Sequence, residues 1–132
     1  MLDVVIDTNI LVSGLLSPYG NPAQVVNALK SGRIHIYYNT EILAEYRDVL
    51  SRSRLGLHPP DVKNLLETIA AAGSVIIPQV SLIVMPDKSD RIFYDTARES
   101  GGLLVTGNTK HYPAEPFIVT PAQFVEIIKR GV

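Results

Sequence analysis

An α/β fold with a parallel central sheet covered on both faces is what the sequence predicts, on three observations. The runs Val4-Val5-Ile6 and Leu103-Leu104-Val105-Thr106 are apolar and lack the alternation of a half-solvated strand, so both of their faces must be covered. Runs of this kind alternate along the chain with helical patterns of about ten to fifteen residues, the spacing of right-handed β-α-β crossovers. Capping residues mark several helix starts, at Asn21-Pro22-Ala23-Gln24, Asn39-Thr40 and Thr120-Pro121-Ala122-Gln123.

In chain order, the first strand breaks at Asp7-Thr8-Asn9, whose short polar side chains favour turns and helix starts, and Ile10 to Leu16 resumes an apolar pattern. After the Pro18-Tyr19-Gly20 turn, Asn21 as N-cap and Pro22 at the first helical position open a helix to about Lys30. Arg33 to Tyr38 reads as a strand, and Asn39-Thr40 caps a helix through about Ser51. The breaker-rich stretch Arg52 to Pro60 precedes a helix opened by Asp61, with Val62, Leu65, Leu66, Ile69 and Ala70 at helical spacing and Gly73 as its stop. Ser74 to Pro78 looks like a strand, while Val80 to Met85 is either its continuation or a separate strand. Pro86 to Asp90 leads into a helix to about Ser100, ended by Gly101-Gly102. The strand Leu103 to Thr106 stops at Gly107-Asn108, and Phe117 to Val119 gives a last short strand before the final helix.

The 132 residues suffice for one domain that buries roughly two thirds of its unfolded surface. With no cysteine, disulfides, thiolate metal sites and thiol nucleophiles are excluded, and any metal must be held by oxygen or imidazole. Twelve Lys plus Arg against thirteen Asp plus Glu give a net charge of -1, so bulk positive charge does not coat nucleic acid here, although local cations can bind phosphate. No apolar run approaches the roughly 20 residues of a membrane span, which makes a soluble cytoplasmic protein the expectation.

The candidate chemistry lies in the carboxylates. Asp7 follows a strand, and in open α/β sheets ligands bind beyond the carboxyl ends of the strands; the plainer alternative is that Asp7 or Thr8 caps the next helix. On the helix Thr40 to Ser51, Ile42, Leu43, Tyr46, Val49 and Leu50 define the apolar face. Glu45 falls roughly 100° from its centre and Glu41 and Asp48 about 140° and 160° away. Glu45 is thus the boundary acid, able to reach a crevice or to point to water. Asp90 shares a face with Phe93 and Ala97, or else serves the positive end of its own helix beside a capping Asp87 or Ser89. Asp95 lies about 140° round from Asp90 and is expected to be solvated. Three carboxylates within about 4 Å would repel by roughly 4 kcal/mol per pair at an effective dielectric of 20, so such a cluster calls for a cation, and oxygen ligands favour Mg²⁺ or Mn²⁺.

These motifs together resemble the PIN domains, most closely the PIN-type toxin components similar to VapC ribonucleases. The resemblance is carried by Val-Ile-Asp-Thr-Asn at the first strand and by the helix Ile42-Leu43-Ala44-Glu45-Tyr46-Arg47-Asp48-Val49-Leu50. Pro-Asp-Lys-Ser-Asp-Arg-Ile-Phe with Ala97 behind it and Leu-Val-Thr-Gly-Asn complete it. It implies a single three-layer α/β/α domain over residues 1–132 with strand order 3-2-1-4-5, and a catalytic metal site built by Asp7, Glu45 and Asp90. A fourth acid is implied where this chain has Asn108. Either Asn108 binds through its amide oxygen or water, or Asp87 adds the missing carboxylate, or a second metal is weak or absent. His111 is a candidate for phosphate or metal, or a plain loop residue.

The resemblance implies a Mg²⁺ or Mn²⁺ dependent endoribonuclease that leaves a 5′-phosphate and a 3′-hydroxyl, with Thr8 and Asn108 orienting ligands or water. Arg52, Arg54, Lys88 and Arg91 cluster in sequence beside these elements and are candidate RNA-backbone contacts, or a solvated basic rim. An antitoxin protein and a homodimer are the implied partners. Two other classes stay open. One is a catalytically silent PIN fold acting as a binding module, suggested by Asn108. The other is a phosphate-transfer enzyme using Asp7 as nucleophile, against which Asn9 stands where a second acid would be wanted.

Overall fold

The structure, a computed structural model, describes residues 1–131. Its sheet holds β1 (Leu2–Ile6), β2 (Ile34–Tyr38), β3 (Ser74–Val75), β4 (Leu103–Val105) and β5 (Ile118–Val119). The strand order is β3-β2-β1-β4-β5, and every neighbouring pair is parallel, as expected. Around it lie α1 (Thr8–Leu16), α2 (Asn21–Lys30), α3 (Thr40–Leu50), α4 (Pro59–Ala72), α5 (Arg91–Ser100) and α6 (Pro121–Lys129). Val4, Val5 and Ile6 are wholly buried although successive strand residues point to opposite faces, so helices close both sides of the sheet and make three layers. α5 crosses β1, β2 and β4 with Phe93 and Ala97 buried beneath it. Gly14 lets α1 and α2 meet, since a Cβ there would lie 2.6 Å from Val26 and 2.9 Å from the Pro22 carbonyl.

Several boundaries differ from those predicted, each for a local reason. α2 is capped by Gly20 at φ 96°, and Asn21 is its first residue, with no side-chain cap. The left-handed backbone that only glycine adopts easily sets the start here, not the Asn side chain. α4 begins at Pro59, two residues before Asp61, because consecutive prolines suit a first turn whose N–H groups lack partners anyway. The Asn39 cap and the Thr120 capping box form as read, Asn39 Oδ1 accepting from Ile42 N at 3.0 Å and Thr120 Oγ1 from Gln123 N at 3.1 Å.

The segment after β3 is the largest difference. β3 ends at Val75, and Val80 to Met85 forms no strand; it lies as an irregular strap along α5. Asp95, expected in water, is 2% exposed beneath that strap, because the second side of α5 is covered as well as the side facing the sheet. Its Oδ2 accepts from Ser81 N at 3.1 Å and its Oδ1 lies 3.9 Å from the Arg98 guanidinium. Arg91 adds three bonds to the strap, to Ser81 O at 2.7 Å, Ser81 Oγ at 2.8 Å and Ile83 O at 2.5 Å.

Candidate active site

The parallel register brings the ends of β1 and β4 together. Ile6 pairs with Val105, and the residue after β1, Asp7, donates its backbone N–H to Val105 O at 3.0 Å. Asp7 therefore sits beside Thr106 at the carboxyl edge of the sheet, where ligands bind in such folds. It occupies the N-cap position of α1, yet its side chain makes no capping bond. Its Oδ2 instead accepts from Thr106 Oγ1 at 2.7 Å and Tyr112 Oη at 3.1 Å. Of the two readings of Asp7, geometry supports the crevice over the cap.

Glu45 is carried to the same place by α3. Tyr46, its neighbour, donates its hydroxyl to Ile6 O at 2.5 Å, which pins the helix to the residue preceding Asp7. Thr8 Oγ1 donates to Glu45 Oε2 and fixes the carboxylate. Asp90 closes the short 3₁₀ turn Lys88–Asp90, with its Oδ2 3.6 Å from His111 Nδ1. Asp87 caps that turn, accepting from Ser89 N at 2.9 Å and Ser89 Oγ at 2.8 Å, and is fully solvated.

Electrostatics tie these acids into one group. Burial pushes the Asp7 carboxyl above its usual range, against the hydrogen bonds from Thr106 and Tyr112 and the nearby His111. Burial likewise raises Glu45; the Thr8 bond opposes it, and the charges of Asp7 and Asp87 add to it. Asp90 is pushed up to about 6, first by burial and then by Asp7, Asp87 and Glu45. Only Asp87 goes the other way, lowered by the Ser89 bonds and then by His111. Burial and then the Asp7 charge hold Tyr112 far above its ordinary value, so its phenol stays protonated as a donor.

The remaining predicted residues lie further out. Asn108 is exposed at the head of the 3₁₀ turn Thr109–His111, and its own N–H donates to Thr106 Oγ1 at 3.1 Å. Arg52 is exposed, bonded to Asp48 at 3.0 Å, and its charge reaches Glu45. Arg54 and Lys88 are exposed, and Arg54 has no tie to the acidic group among the described residues. Arg91 is half-buried and engaged by the strap. Tyr112 and Tyr46 are not marked by sequence as parts of the site, and in the strand-end stretch Thr106-Gly107-Asn108 the sequence points to Asn108 as the ligand, whereas it is Thr106 that bonds to Asp7. The only signal for Thr106 is its place at a strand end, and nothing periodic marks Tyr112. A cavity of about 750 Å³ between the end of α3 and α4, lined by Leu50, Leu57, Val62 and Leu66 among others, contains none of the acids.

The donor set fits a hard divalent cation. It is oxygen with one imidazole nearby, it carries excess negative charge, and one of its buried oxygens, Asp90 Oδ2, has no hydrogen-bond partner. Among the described residues no three His, Asp or Glu close into a group that would hold an ion alone. Among the described residues no helix is long and apolar enough to cross a membrane.

Comparison with known proteins agrees with the fold. The chain is 28% identical over 110 residues to an uncharacterized protein of Methanocaldococcus jannaschii, a match that covers 81% of this chain and 71% of that protein. The PIN domain family model matches residues 3–110, which include all of β1 but Leu2, and α3, the Lys88–Asp90 turn, β4 and Asn108. The chain belongs to the PIN domain family, whose members are in general nucleases and typically use divalent metals.

Proposed function

We propose that this chain is a Mg²⁺ or Mn²⁺ dependent endoribonuclease that cleaves single-stranded RNA, with residues 1–132 acting as one nuclease domain. The observation that supports the reading is geometric: Thr106 and Tyr112 hold the Asp7 carboxylate at the end of β1, and Thr8, the next residue, donates to Glu45 of α3; the Asp7 charge also helps raise the carboxyls of Glu45 and Asp90. Asp7, Glu45 and Asp90 would hold the cation, with Asp87 and Asn108 at the rim. When bound, the cation supplies activation of the attacking water and charge at the leaving oxygen of an in-line displacement.

The protein's own residues do the positioning. Thr106 and Tyr112 orient the Asp7 carboxylate through Oδ2, and Thr8 orients Glu45. The exposed cations Arg52 and Lys88 meet backbone phosphates at the mouth of the site. The role we infer is that of a toxin component in the cytoplasm, acting as a homodimer and restrained by a cognate antitoxin that occupies the acidic crevice. Incubation of purified protein with single-stranded RNA and Mn²⁺ tests the reading. Cleavage is expected for the wild type and is expected to fall more than about 100-fold in Asp7→Asn. Undiminished cleavage by that variant rules the site out. Asn108, uncharged and exposed, favours a second reading, a catalytically silent binding module, for which neither Mn²⁺ binding nor cleavage is expected.

A further inference from the structure

Between β3 and the Lys88–Asp90 turn the chain runs from Ser74 to Pro86 without a charged residue. Five large apolar side chains in it stand in water: Val75 at 58% exposure, Ile77 at 87%, Val80 at 75%, Leu82 at 97% and Val84 at 93%. Between them, Ile76 and Ile83 are half-buried, and Ser81 and Met85 are buried. A solvated edge normally reads polar on its open side. Here the open side is the apolar one.

We propose that this stripe is the surface through which two copies of the chain associate about a twofold axis. The inference rests on the self-association in the reading above and locates its interface. Four properties favour a second copy as occupant. A twofold interface uses the same patch on both partners, and a stripe whose own residues carry no charge, met at Gln79 by the opposite charges of Arg98 and Glu99, faces itself without net like-charge repulsion and offers a nucleic acid or a strongly charged peptide little to pair with. Its area is right: at about 60 to 120 Å² of apolar surface per Val, Leu or Ile, five side chains supply about 300 to 600 Å². One partner of a standard interface buries about 800 Å², a little over half of it apolar.

The stripe is also built in advance. The Arg91 guanidinium on Ser81 and Ile83, and the Asp95 carboxylate on Ser81 N, hold its inner side to α5, so little ordering remains to be done on binding. Finally, Pro78 removes a backbone donor and β3 is only two residues long, so the copies meet by side-chain packing and not by extending the sheet. Val84 precedes Asp87 by three residues and Asp90 by six, so association would brace the wall of the site that carries them.

Sedimentation velocity on the full chain tests this at about 50 μM, above the micromolar Kd of a weak standard-size interface. The wild type is expected as a dimer. Leu82→Asp with Val84→Asp is expected to weaken it about 100-fold or more while the circular-dichroism spectrum of the folded chain is kept, since in a single copy both side chains lie in water. In a chain without cysteine, Leu82→Cys is expected to form an interchain disulfide under mild oxidation, and Tyr19→Cys, 82% exposed outside the stripe, is not. A monomeric wild type, a dimer that survives the double substitution, equal crosslinking at both cysteines, or a different protein found covering the stripe would each overturn the proposal. RNA cleavage measured on the same samples separates the two readings: loss of cleavage in Asp7→Asn reports on the site whatever the oligomeric state.

Discussion

The Asp7 charge helps raise the Asp90 carboxyl, yet the supports of the two residues differ in kind. Asp7 hangs from strand ends: its N–H is bonded to Val105 O, Thr106 and Tyr112 hold its Oδ2, and Tyr46 anchors the residue before it. Asp90 stands on a 3₁₀ turn at the end of the uncharged strap, and its Oδ2 has no hydrogen-bond donor. The inner wall is preorganised by sheet register and buried hydroxyls. The outer wall is fastened from the side, by Arg91 and Asp95 gripping Ser81. The difference teaches that one half of the charge cluster is fixed by the fold itself, while the other is adjustable and depends on what grips or covers the strap.

The largest effect should come from releasing the strap. Arg91→Ala removes three charge-assisted bonds and is expected to cost about 2 to 3 kcal/mol, with amide exchange rising over residues 79–86 well before it rises in β1. Equal loss of protection in both walls would mean that they are not separate units. Next, Thr106→Val and Tyr112→Phe each strip one donor from Asp7 Oδ2 and should lower Mn²⁺ affinity about 10-fold, read by calorimetry. Unchanged affinity in both would show that the inner wall does not need its hydroxyls.

The smallest effect concerns pH. The Asp90 carboxyl is raised from 3.8 to about 6, so the folded state binds its proton more tightly than the unfolded chain. With chelator present, stability should therefore fall as pH rises through about 4 to 6, and Asp7 and Glu45, also raised, add in the same direction. Asp90→Asn should flatten this profile and gain about 1 kcal/mol at neutral pH once solvent screening is allowed for, seen as a rise of about 2 to 6 °C in Tm. Parallel profiles for the two proteins would show that the charges do not repel.

The same contrast explains what the sequence made legible. Strand order follows from the family resemblance; a helical wheel puts Glu45 at the boundary of the apolar face of α3 and leaves it open between crevice and water, and the resemblance assigns it to the site. Tyr112 was beyond reach: it arrives from an aperiodic loop and meets Asp7 across 105 residues of chain. Asp95 was misplaced because a wheel assumes one buried face, and α5 has two, one under the sheet and one under the strap. The thirteen uncharged residues from Ser74 to Pro86 were the available signal, a run too apolar to lie wholly in water.

Titration of Mn²⁺ into metal-free protein at neutral pH, wild type beside Asp7→Asn, Glu45→Gln and Asp90→Asn, tests most directly whether the two walls form one cation site. The account predicts saturable binding to the wild type, a loss of more than about 100-fold in Asp7→Asn, and weakening in the other two. Wild-type affinity retained by Asp7→Asn would contradict it.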